Sequence, residues 1–597
     1  MGLPSASRTV LLVQLPIPPA GSVPVRHNVP LAAGYLRLLA RKRGLEAAYR
    51  IELLPTAVAN ASGDQALVNA ILARQPWLVG FTCYVWNIER TLWIADHLKR
   101  RCPELQIVLG GPELTADNAW VLQHAAVDYA AFGEGEQTFA ELLAALVRHA
   151  RPPEPVPGLF VSPAGPPPAS RVPLATLDEI SSPYLDGSLD AADERVLFLE
   201  TIRGCVFKCR FCYYPKSYDR VYAVSPERVL DNLRHAAERG VEEVVLLDPT
   251  LNQRPDFRDF VELLVRGNPQ RQFTYFGELR AEGIDARLAD RLQAANFTEV
   301  EVGLQSVDRQ TQRLMDRPIN LPAFQRGVRA LREAGIRVKI DLIIGLPGDT
   351  VDSVRRGLDY LAAFRPDCDA QVFQLSILPG TSFRQEAVSL GLQFQPRPPY
   401  YVLGTPTLGL DQMVALMDEA QEALGIEFDP LPPPVTDLPE SDDSLVRGWR
   451  VDLDVEPLPL PPPERRAQAF VLWLQSAQFG QRSQAAADLV ARLLDDNPHS
   501  TLQVTLEPRG APEQLTVDVL ERLRAACFRS LSYLDRFYSL QPSGRAAAKR
   551  LVVTLPLAER ARLGADWAHR IGRYAVLVWQ GNGAADCADL EDFEFVS

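Results

Sequence analysis

Apolar and polar residues along the first 150 positions form a repeating pattern that predicts strand, turn and helix in succession. Short apolar runs predict strands, and apolar residues at helical spacing predict helices after them. The strand patterns lie at residues 9–15, 77–83, 106–109 and 129–132, and helical periodicity is clearest at residues 31–43 and 88–98. This alternation predicts a doubly wound, Rossmann-like α/β domain over residues 1–150, in which ligands bind beyond the carboxyl ends of the strands.

A second alternating region predicts a parallel barrel. Its strand patterns lie at residues 196–200, 243–247, 273–277, 299–303, 338–344 and 370–375. Helical segments separate most of these strands, and six such units predict a partial (β/α)6 barrel over residues 195–428.

Two proline-rich stretches separate these regions from each other and from the rest of the chain. The 49 Pro residues concentrate there, which predicts extended linkers at residues 151–194 and 429–464. Residues 465–597 remain as a small C-terminal domain. Helix patterns at 467–478, 484–495 and 517–530 and strand patterns at 502–507, 549–554 and 574–579 predict an α+β fold for it.

Charge and hydropathy exclude several classes of partner. The chain has 62 Lys+Arg and 75 Asp+Glu, a net charge of −13, and no block of basic residues. Such a chain has no long-range attraction to nucleic acid or to anionic membranes. It also lacks an apolar run of about 18 residues and a signal-peptide pattern. We therefore expect a cytoplasmic protein with no membrane partner, and the charge is compatible with a monomer.

The decisive motif is a cluster of cysteines in the loop after the first predicted barrel strand. Cys205, Cys209 and Cys212 have C-x3-C-x2-C spacing, whereas the other five of the eight Cys residues are scattered singly. Three neighbouring thiolates can hold three irons of a 4Fe–4S cluster and leave the fourth iron open. Zinc is the competing interpretation, but a structural zinc site normally needs four ligands and no second cysteine pair is present.

With this motif after the first barrel strand, the sequence resembles the radical S-adenosylmethionine (radical SAM) superfamily over about residues 195–400. The resemblance implies that the methionine part of SAM binds the open iron and that an electron from the cluster cleaves the sulfonium. It also implies SAM contacts at the aromatic positions of the motif and at successive strand ends. The predicted SAM-binding residues are Phe211, Tyr213, Asp248, Glu278, Arg280, Gln305, Ser306 and Leu378.

A Rossmann-like domain directly before such a barrel resembles the cobalamin-binding branch of the superfamily, of the class B methyltransferase type. The predicted cobalamin-binding residues lie at three strand ends and are Tyr84, Trp86, Asn87, Gly110, Gly111, Glu113, Gly133 and Gly135. The glycines would let the backbone approach a corrin, although they could also be ordinary tight turns, and the two aromatics could be core residues. No D-x-H-x-x-G motif occurs, and His27 lacks that frame. The resemblance therefore implies base-off cobalamin without a histidine ligand, with the loop at residues 84–87 below the cobalt.

The resemblance implies a cobalamin-dependent radical SAM enzyme, and a C-methyltransferase is the leading hypothesis. One SAM would methylate cobalamin, and a second would yield the radical that activates an unactivated carbon of a small molecule or natural-product intermediate. Flavodoxin or ferredoxin would serve as reductant. Rearrangement, ring contraction or cyclisation would use the same cofactors, and tRNA methylthiolation or a redox sensor are more distant alternatives. No catalytic side chain can be assigned, and residues 396–403 could close the substrate pocket.

Overall fold

We analysed a computed structural model of the chain. It describes residues 7–152, 154–162, 165, 168–169, 171–214, 218, 220–365, 367–539 and 548–581. Its strands form two parallel α/β units followed by a third sheet. Short 3₁₀ helices lie at Leu45–Ala47, Leu177–Glu179, Leu251–Gln253, Ala281–Gly283, Pro463–Arg465 and Pro512–Gln514.

The first unit is a six-stranded sheet with helices on both faces. The strand order is β2-β1-β3-β4-β5-β6, and every neighbouring pair is parallel except β5 and β6. The elements are β1 (Arg8–Gln14), α1 (Leu31–Lys42), β2 (Tyr49–Leu53), α2 (Thr56–Ala61), α3 (Asp64–Leu72), β3 (Leu78–Thr82), α4 (Ile88–Arg101), β4 (Gln106–Gly110), α5 (Ala119–Leu122), β5 (Tyr129–Ala131), α6 (Gly135–Leu146) and β6 (Leu159–Val161). This confirms the Rossmann-like prediction. The edge strand β6 comes from the predicted first linker.

The second unit confirms the partial (β/α)6 barrel. Its main strands form two parallel sheets, β7-β10-β11 and β12-β13-β14-β15, and only Gly277 separates β11 from β12 along the chain. The elements are β7 (Val196–Leu199), β8 (Ile202–Arg203), β9 (Tyr222–Ala223), α7 (Pro226–Glu238), β10 (Glu243–Leu246), α8 (Phe257–Gly267), β11 (Thr274–Phe276), β12 (Glu278–Leu279), α9 (Ala286–Ala295), β13 (Glu299–Gln305), α10 (Arg309–Leu314), α11 (Leu321–Glu333), β14 (Arg337–Ile344), α12 (Val351–Ala362), β15 (Asp369–Gln374), α13 (Ser382–Gln385), β16 (Gln393–Phe394), β17 (Val402–Gly404) and α14 (Leu410–Leu424).

The C-terminal unit differs from the α+β prediction. It is a five-stranded, wholly parallel sheet in the sequential order β18-β19-β20-β21-β22, with helices between most of its strands. The elements are β18 (Val446–Asp452), β19 (Arg466–Ser476), α15 (Phe479–Asp496), β20 (Thr501–Pro508), α16 (Val517–Cys527), α17 (Tyr533–Tyr538), β21 (Lys549–Pro556), α18 (Ala558–Gly572) and β22 (Val576–Gln580). The helix expected at residues 467–478 was wrong. That segment is the strand β19, which is buried on both faces, and a continuous apolar run of this kind does not distinguish helix from strand.

A proline-rich segment lies across the face of this third sheet. The side-chain amide of Gln503 accepts from Val435 N–H (2.9 Å) and donates to Val435 C=O (2.7 Å). Arg550 donates to the carbonyl oxygens of Pro432 (2.6 Å) and Pro433 (2.9 Å). Part of the predicted second linker is thus held against the sheet, while β18 lies within the same predicted stretch.

Buried polar contacts fix the C-terminal unit to the first domain. Asp64 and Arg90 form an ion pair (2.7 Å), and both side chains are at most 3% exposed. The other carboxylate oxygen of Asp64 accepts from the backbone N–H of His499 (2.9 Å). Gly63 N–H donates to Arg466 C=O (2.9 Å) alongside. One carboxylate therefore holds helix α4 and the C-terminal unit together.

Replacing Asp64 should destabilise this contact strongly. Asp64→Ala leaves the Arg90 guanidinium buried without a counter-charge, and we expect a loss of about 3–5 kcal/mol in the free energy of unfolding of this part of the molecule. The control is Asp96→Ala, which removes the exposed i,i+4 partner of Arg100 on the same helix and should cost about 0.3–0.5 kcal/mol. Urea denaturation of the three proteins measures both effects. Equal losses in the two variants would contradict the prediction.

Candidate functional site

A cavity of about 510 Å³ lies between the first domain and the barrel. Its walls come from the carboxyl ends of β3, β4 and β5, from α1 and α6, and from the loops that follow β7 and β15. The residues from the sequence prediction that line it are Tyr84, Trp86, Gly110, Gly111, Glu113, Gly133, Gly135, Tyr213 and Leu378. Seven of the eight predicted cobalamin residues and two of the predicted SAM residues thus surround one space.

The loop after β3 presents an aromatic platform to this cavity. The rings of Tyr84 and Trp86 stack with centroids 4.5 Å apart and planes inclined by 9°. Asn87 is absent from the cavity wall and is almost wholly buried. Its side chain accepts from Tyr84 N–H (2.8 Å) and donates to the carbonyl oxygens of Leu15 (3.0 Å) and Thr82 (3.1 Å). Asn87 therefore holds the loop in shape, and a direct contact between Asn87 and cobalamin stays a prediction.

The glycines at the next two strand ends differ in what surrounds them. A Cβ atom on Gly110 or Gly133 would meet no described atom within 4 Å, so both positions lie open to a ligand. Gly111 has φ +113°, and a Cβ there would lie 2.5 Å from the Cys83 carbonyl oxygen. Gly111 is therefore required by the turn itself. Gly133 also has a positive φ of +70°, but Gly110 and Gly133 both leave space that a bulky cofactor could fill.

Glu113 forms a buried part of the cavity wall. Its Oε2 accepts from the Tyr400 hydroxyl (2.7 Å) and from Asn118 Nδ2 (3.0 Å). Burial raises the pKa of Glu113 from 4.5 to about 7, although these hydrogen bonds and the charge of Arg384 act in the opposite direction. The carboxyl therefore changes charge near neutral pH.

Tyr400 belongs to the segment at residues 396–403, which the sequence suggested as a cover for the substrate pocket. No residue of this segment is among those lining the cavity. Tyr400 is fully buried against Glu113, and the ring of Tyr401 lies 6.0 Å from that of Phe537 in α17. The segment braces the wall from outside.

The three motif cysteines lie in one loop after β8, beside the cavity. Cys205 and Cys209 are buried and Cys212 is partly buried. Backbone N–H groups of Phe207 and Tyr214 donate to the Cys205 and Cys212 thiols and lower their pKa, but burial dominates, raising the pKa of Cys205 and bringing that of Cys212 to about 12. Amide donors of this kind support thiolate ligands.

A cation also lies beside the loop. Arg317 Nη1 is 3.6 Å from the Cys209 sulfur, and Nη2 donates to Gly303 C=O (2.7 Å). Within the described part of the chain, no three His, Cys, Asp or Glu side chains converge closely enough to hold a single metal ion. A 4Fe–4S cluster binds each thiolate through a different iron and does not require that convergence. The donors therefore suit the cluster better than zinc.

The predicted SAM residues from the barrel divide into two groups. Asp248 is almost fully buried and accepts from Thr201 N–H (2.8 Å), the Thr201 hydroxyl and Ile202 N–H (3.0 Å). It anchors the start of the cysteine loop, so a direct contact of Asp248 with SAM stays a prediction. Ser306 is also buried, and its hydroxyl accepts from Asp308 N–H (3.2 Å).

The second group faces open space or stacks near the loop. Glu278 keeps access to solvent at the end of the third barrel strand, and desolvation and the neighbouring Glu301 raise its pKa to about 7 while Arg317 lowers it. Arg280 lies over the Phe207 ring at 4.3 Å and donates to Glu282 (2.9 Å). Phe211 packs at the edge of the barrel core.

Three polar atoms inside the barrel are buried without a hydrogen-bond partner in the described structure. They are Gln305 Oε1, Arg317 Nε and Asp341 Oδ1. Gln305 also has φ +63°, which is rare for a residue other than glycine. Unsatisfied buried groups are costly, so these atoms are suited to a polar ligand such as SAM. Sequence reasoning missed both residues, because Arg317 belongs to no motif and Asp341 lies within a predicted strand, before the strand end where contacts were expected.

Comparisons with known proteins agree with this arrangement. The B12 binding domain family matches residues 28–143, and the Radical SAM superfamily matches residues 199–361. The chain is 29% identical over 407 residues to the cobalamin-dependent radical SAM methyltransferase TokK of Streptomyces tokunonensis, which covers 63% of this chain and 58% of that protein. Both domain matches and this relative support the cobalamin-binding radical SAM family for this chain.

A second relative and two solved structures extend the comparison. The 2-(S-pantetheinyl)-carbapenam-3-carboxylate methyltransferase of Streptantibioticus cattleyicolor is 28% identical over 62% of this chain and 56% of its own. This radical SAM protein thus spans somewhat more than half the length of both curated relatives. The fold is similar to that of TsrM from Kitasatospora setae (TM-score 0.56, 18% identity, 70% of this chain and 89% of that one) and of OxsB (TM-score 0.58, 16% identity, 70% and 67%).

The raised pKa of Glu113 predicts a pH dependence of stability. Because the folded state holds this proton more tightly than the unfolded state, its contribution is fully present below pH 4.5 and is lost as pH rises through about 7. Glu113→Gln keeps the neutral form, so between pH 5 and 8 the wild type should lose about 1–3 kcal/mol of stability relative to the variant. Thermal unfolding of both proteins across this range measures the difference. A difference that does not change with pH would contradict the assignment.

Proposed function

We propose that this protein is a cobalamin-dependent radical SAM C-methyltransferase acting on an unactivated carbon of a small molecule or natural-product intermediate. The observation that carries the proposal is the shared cavity, in which the predicted cobalamin loops face the cysteine loop of the barrel. Two relatives with methyltransferase names support the reaction class. When bound, cobalamin would supply methyl transfer, and the cluster with SAM would supply radical generation.

Different residues of the protein would bind the cluster, SAM and cobalamin. Cys205, Cys209 and Cys212 would hold the cluster, while Gln305, Glu278 and their neighbours in the barrel would hold SAM. The open positions at Gly110 and Gly133 would admit the corrin. Beneath it, the stacked Tyr84 and Trp86 would exclude water and a sixth ligand, in keeping with base-off cobalamin without a histidine ligand.

One relative supports a second candidate reaction. The anaerobic magnesium-protoporphyrin IX monomethyl ester cyclase of Rubrivivax gelatinosus is 25% identical over 390 residues. Cyclisation, rearrangement or ring contraction would need the same cofactor positions. A tRNA methylthiotransferase is less well supported, because residues 1–150 contain only Cys83 and Cys102 and so could not provide three ligands for a second cluster.

The proposal also includes a cytoplasmic monomer with flavodoxin or ferredoxin as its reductant. Within the described residues, no helix is both long and apolar enough to cross a bilayer.

The first test measures cofactors and the fate of the methyl group together. After anaerobic reconstitution with hydroxocobalamin, iron and sulfide, we expect about four irons and one cobalt per chain. Cys209→Ala should lose iron and SAM cleavage, whereas Cys368→Ala, which changes a buried thiol far from the loop in sequence, should keep both. With methyl-labelled SAM and a substrate, label in the product supports methyl transfer. Label absent from a formed product would favour cyclisation or rearrangement.

The second test concerns the aromatic platform. Trp86→His or Tyr84→His should introduce an imidazole nitrogen at the lower face of cobalt, giving nitrogen superhyperfine splitting in the EPR spectrum of cob(II)alamin. His97, which stacks on Trp93 within the first domain, provides a control, because His97→Gln should leave the spectrum unchanged. If neither histidine variant shows splitting, the loop does not lie below cobalt.

A further inference from the structure

Arg203 contacts three carboxylates at the boundary between the first domain and the barrel. Its Nη1 donates to Glu134 (3.0 Å), its Nη2 to Glu136 (2.6 Å) and its Nε to Glu200 (2.8 Å). Glu134 and Glu136 alternate with Gly133 and Gly135 in the loop after β5, which lines the cavity. Glu200 follows β7 in the barrel. One side chain therefore joins the loops of both domains.

Arg203 and its three carboxylate partners are largely shielded from water. The side chain of Arg203 is 9% exposed, and those of Glu134, Glu136 and Glu200 are 6%, 8% and 22% exposed. Arg203 is also the only cationic side chain among the described residues that line the cavity. Without it, Glu134 and Glu136 would face Glu200 as unpaired like charges in a poorly solvated space, which is strongly unfavourable.

The backbone between Arg203 and the motif cysteines is short and conformationally constrained. Arg203 lies two positions before Cys205, and the preceding turn is held by Asp248 through the N–H groups of Thr201 and Ile202. Gly204 has φ +91°, and a Cβ on it would lie 2.3 Å from the Arg220 carbonyl oxygen. On the other side, the second oxygen of Glu134 accepts from Leu174 N–H (2.8 Å). A shift of either loop would therefore be transmitted to the other.

We propose that Arg203 is a positioning residue that sets the distance and orientation between the cobalamin loop after β5 and the cluster loop after β8. This inference rests on the proposed two-cofactor function. Arg203 acts through its carboxylate partners and is not assigned a contact with substrate or with reacting atoms. The planar guanidinium suits this role, because its donors can engage three acceptors at once, which an ammonium group does not reproduce.

The test compares Arg203→Gln, Arg203→Lys and the triple variant R203Q/E134Q/E136Q with the wild type. Arg228→Gln is the matched control. Arg228 donates to the carbonyl oxygens of Leu177 (2.9 Å) and Ile180 and contacts Asp178 (3.5 Å), and these polar partners lie outside the loop after β5. The readouts are iron content, the dissociation constant of hydroxocobalamin, and the cob(II)alamin-to-cluster distance from pulsed EPR.

We expect Arg203→Gln to retain iron but to bind hydroxocobalamin about tenfold or more weakly. Removing the guanidinium leaves the buried carboxylates without a counter-charge, and the cost of their desolvation is then no longer compensated. The distance distribution should broaden. Arg203→Lys should be intermediate, and the triple variant should recover most of the affinity because neutral amides replace Glu134 and Glu136, which leaves Glu200 as the one carboxylate of the three. Arg228→Gln should match the wild type.

Wild-type affinity and an unchanged distance distribution in Arg203→Gln would overturn the inference. A triple variant as weak as Arg203→Gln would overturn its electrostatic basis. Hydrogen exchange in the cofactor-free protein separates this inference from the proposed function. Exchange in residues 133–146 should rise in Arg203→Gln and not in Arg228→Gln. Unchanged exchange in Arg203→Gln would contradict the positioning role of Arg203. A wild type that binds iron but no cobalt would instead reject the proposed function.

Discussion

The geometry of the site depends on the hydrogen bonds and ion pairs that offset the desolvation of carboxylates between the first domain and the barrel. Both parallel sheets direct the carboxyl ends of their strands toward the same cavity, so loops from each bring polar groups out of water. Three of the contacts between described residues that cross this boundary are polar contacts made by these loops. Arg203 pairs with the loop after β5, Gly380 N–H donates to Asp117 (3.0 Å), and Tyr400 donates to Glu113. Together they fix the opposing loops around one enclosed space.

Desolvation also makes the charge of two carboxylates at the site, Glu113 and Glu278, sensitive to pH. Glu113 in the cavity wall and Glu278 in the barrel both have a pKa of about 7, with desolvation as the main cause in each case. The hydrogen-bond donors to Glu113 are neutral, and Arg384 acts on it only through its charge. A neutral hydrogen bond compensates a buried carboxylate less fully than a guanidinium does. Changes in protonation near neutrality are therefore expected at both Glu113 and Glu278.

The parts of the fold that local patterns determine could be predicted from the sequence. Glycine and cysteine motifs immediately follow strands, so the carboxyl ends of β3, β4, β5 and β7 were recognisable, and the strand–helix alternation indicated both α/β units. The β19 segment was mistaken for a helix because its apolar run at residues 469–474 does not distinguish a buried strand from a buried helix. The contacts of Arg203 with Glu134 and Glu136, and of Tyr400 with Glu113, could not be predicted, since these partners are 67 or more positions away in the chain. Asn87 and Asp248 were recognised as strand-end residues, but their inward hydrogen bonds depend on tertiary packing.

The C-terminal unit contributes to the site through helix α4 instead of through the cavity wall, since no described residue beyond 464 lines the cavity. The loop that carries Tyr84 and Trp86 leads directly into α4. In the first turn of that helix, Glu89 pairs with Arg536 and Arg90 with Asp64, which also holds His499. Arg536 donates in addition to Pro398 C=O (2.6 Å), in the segment that braces Glu113. Glu89 contacts Arg536 of the C-terminal unit directly, and Arg90 reaches His499 of that unit through Asp64. The orientation of the aromatic platform therefore depends on a unit that contributes no described residue to the cavity wall.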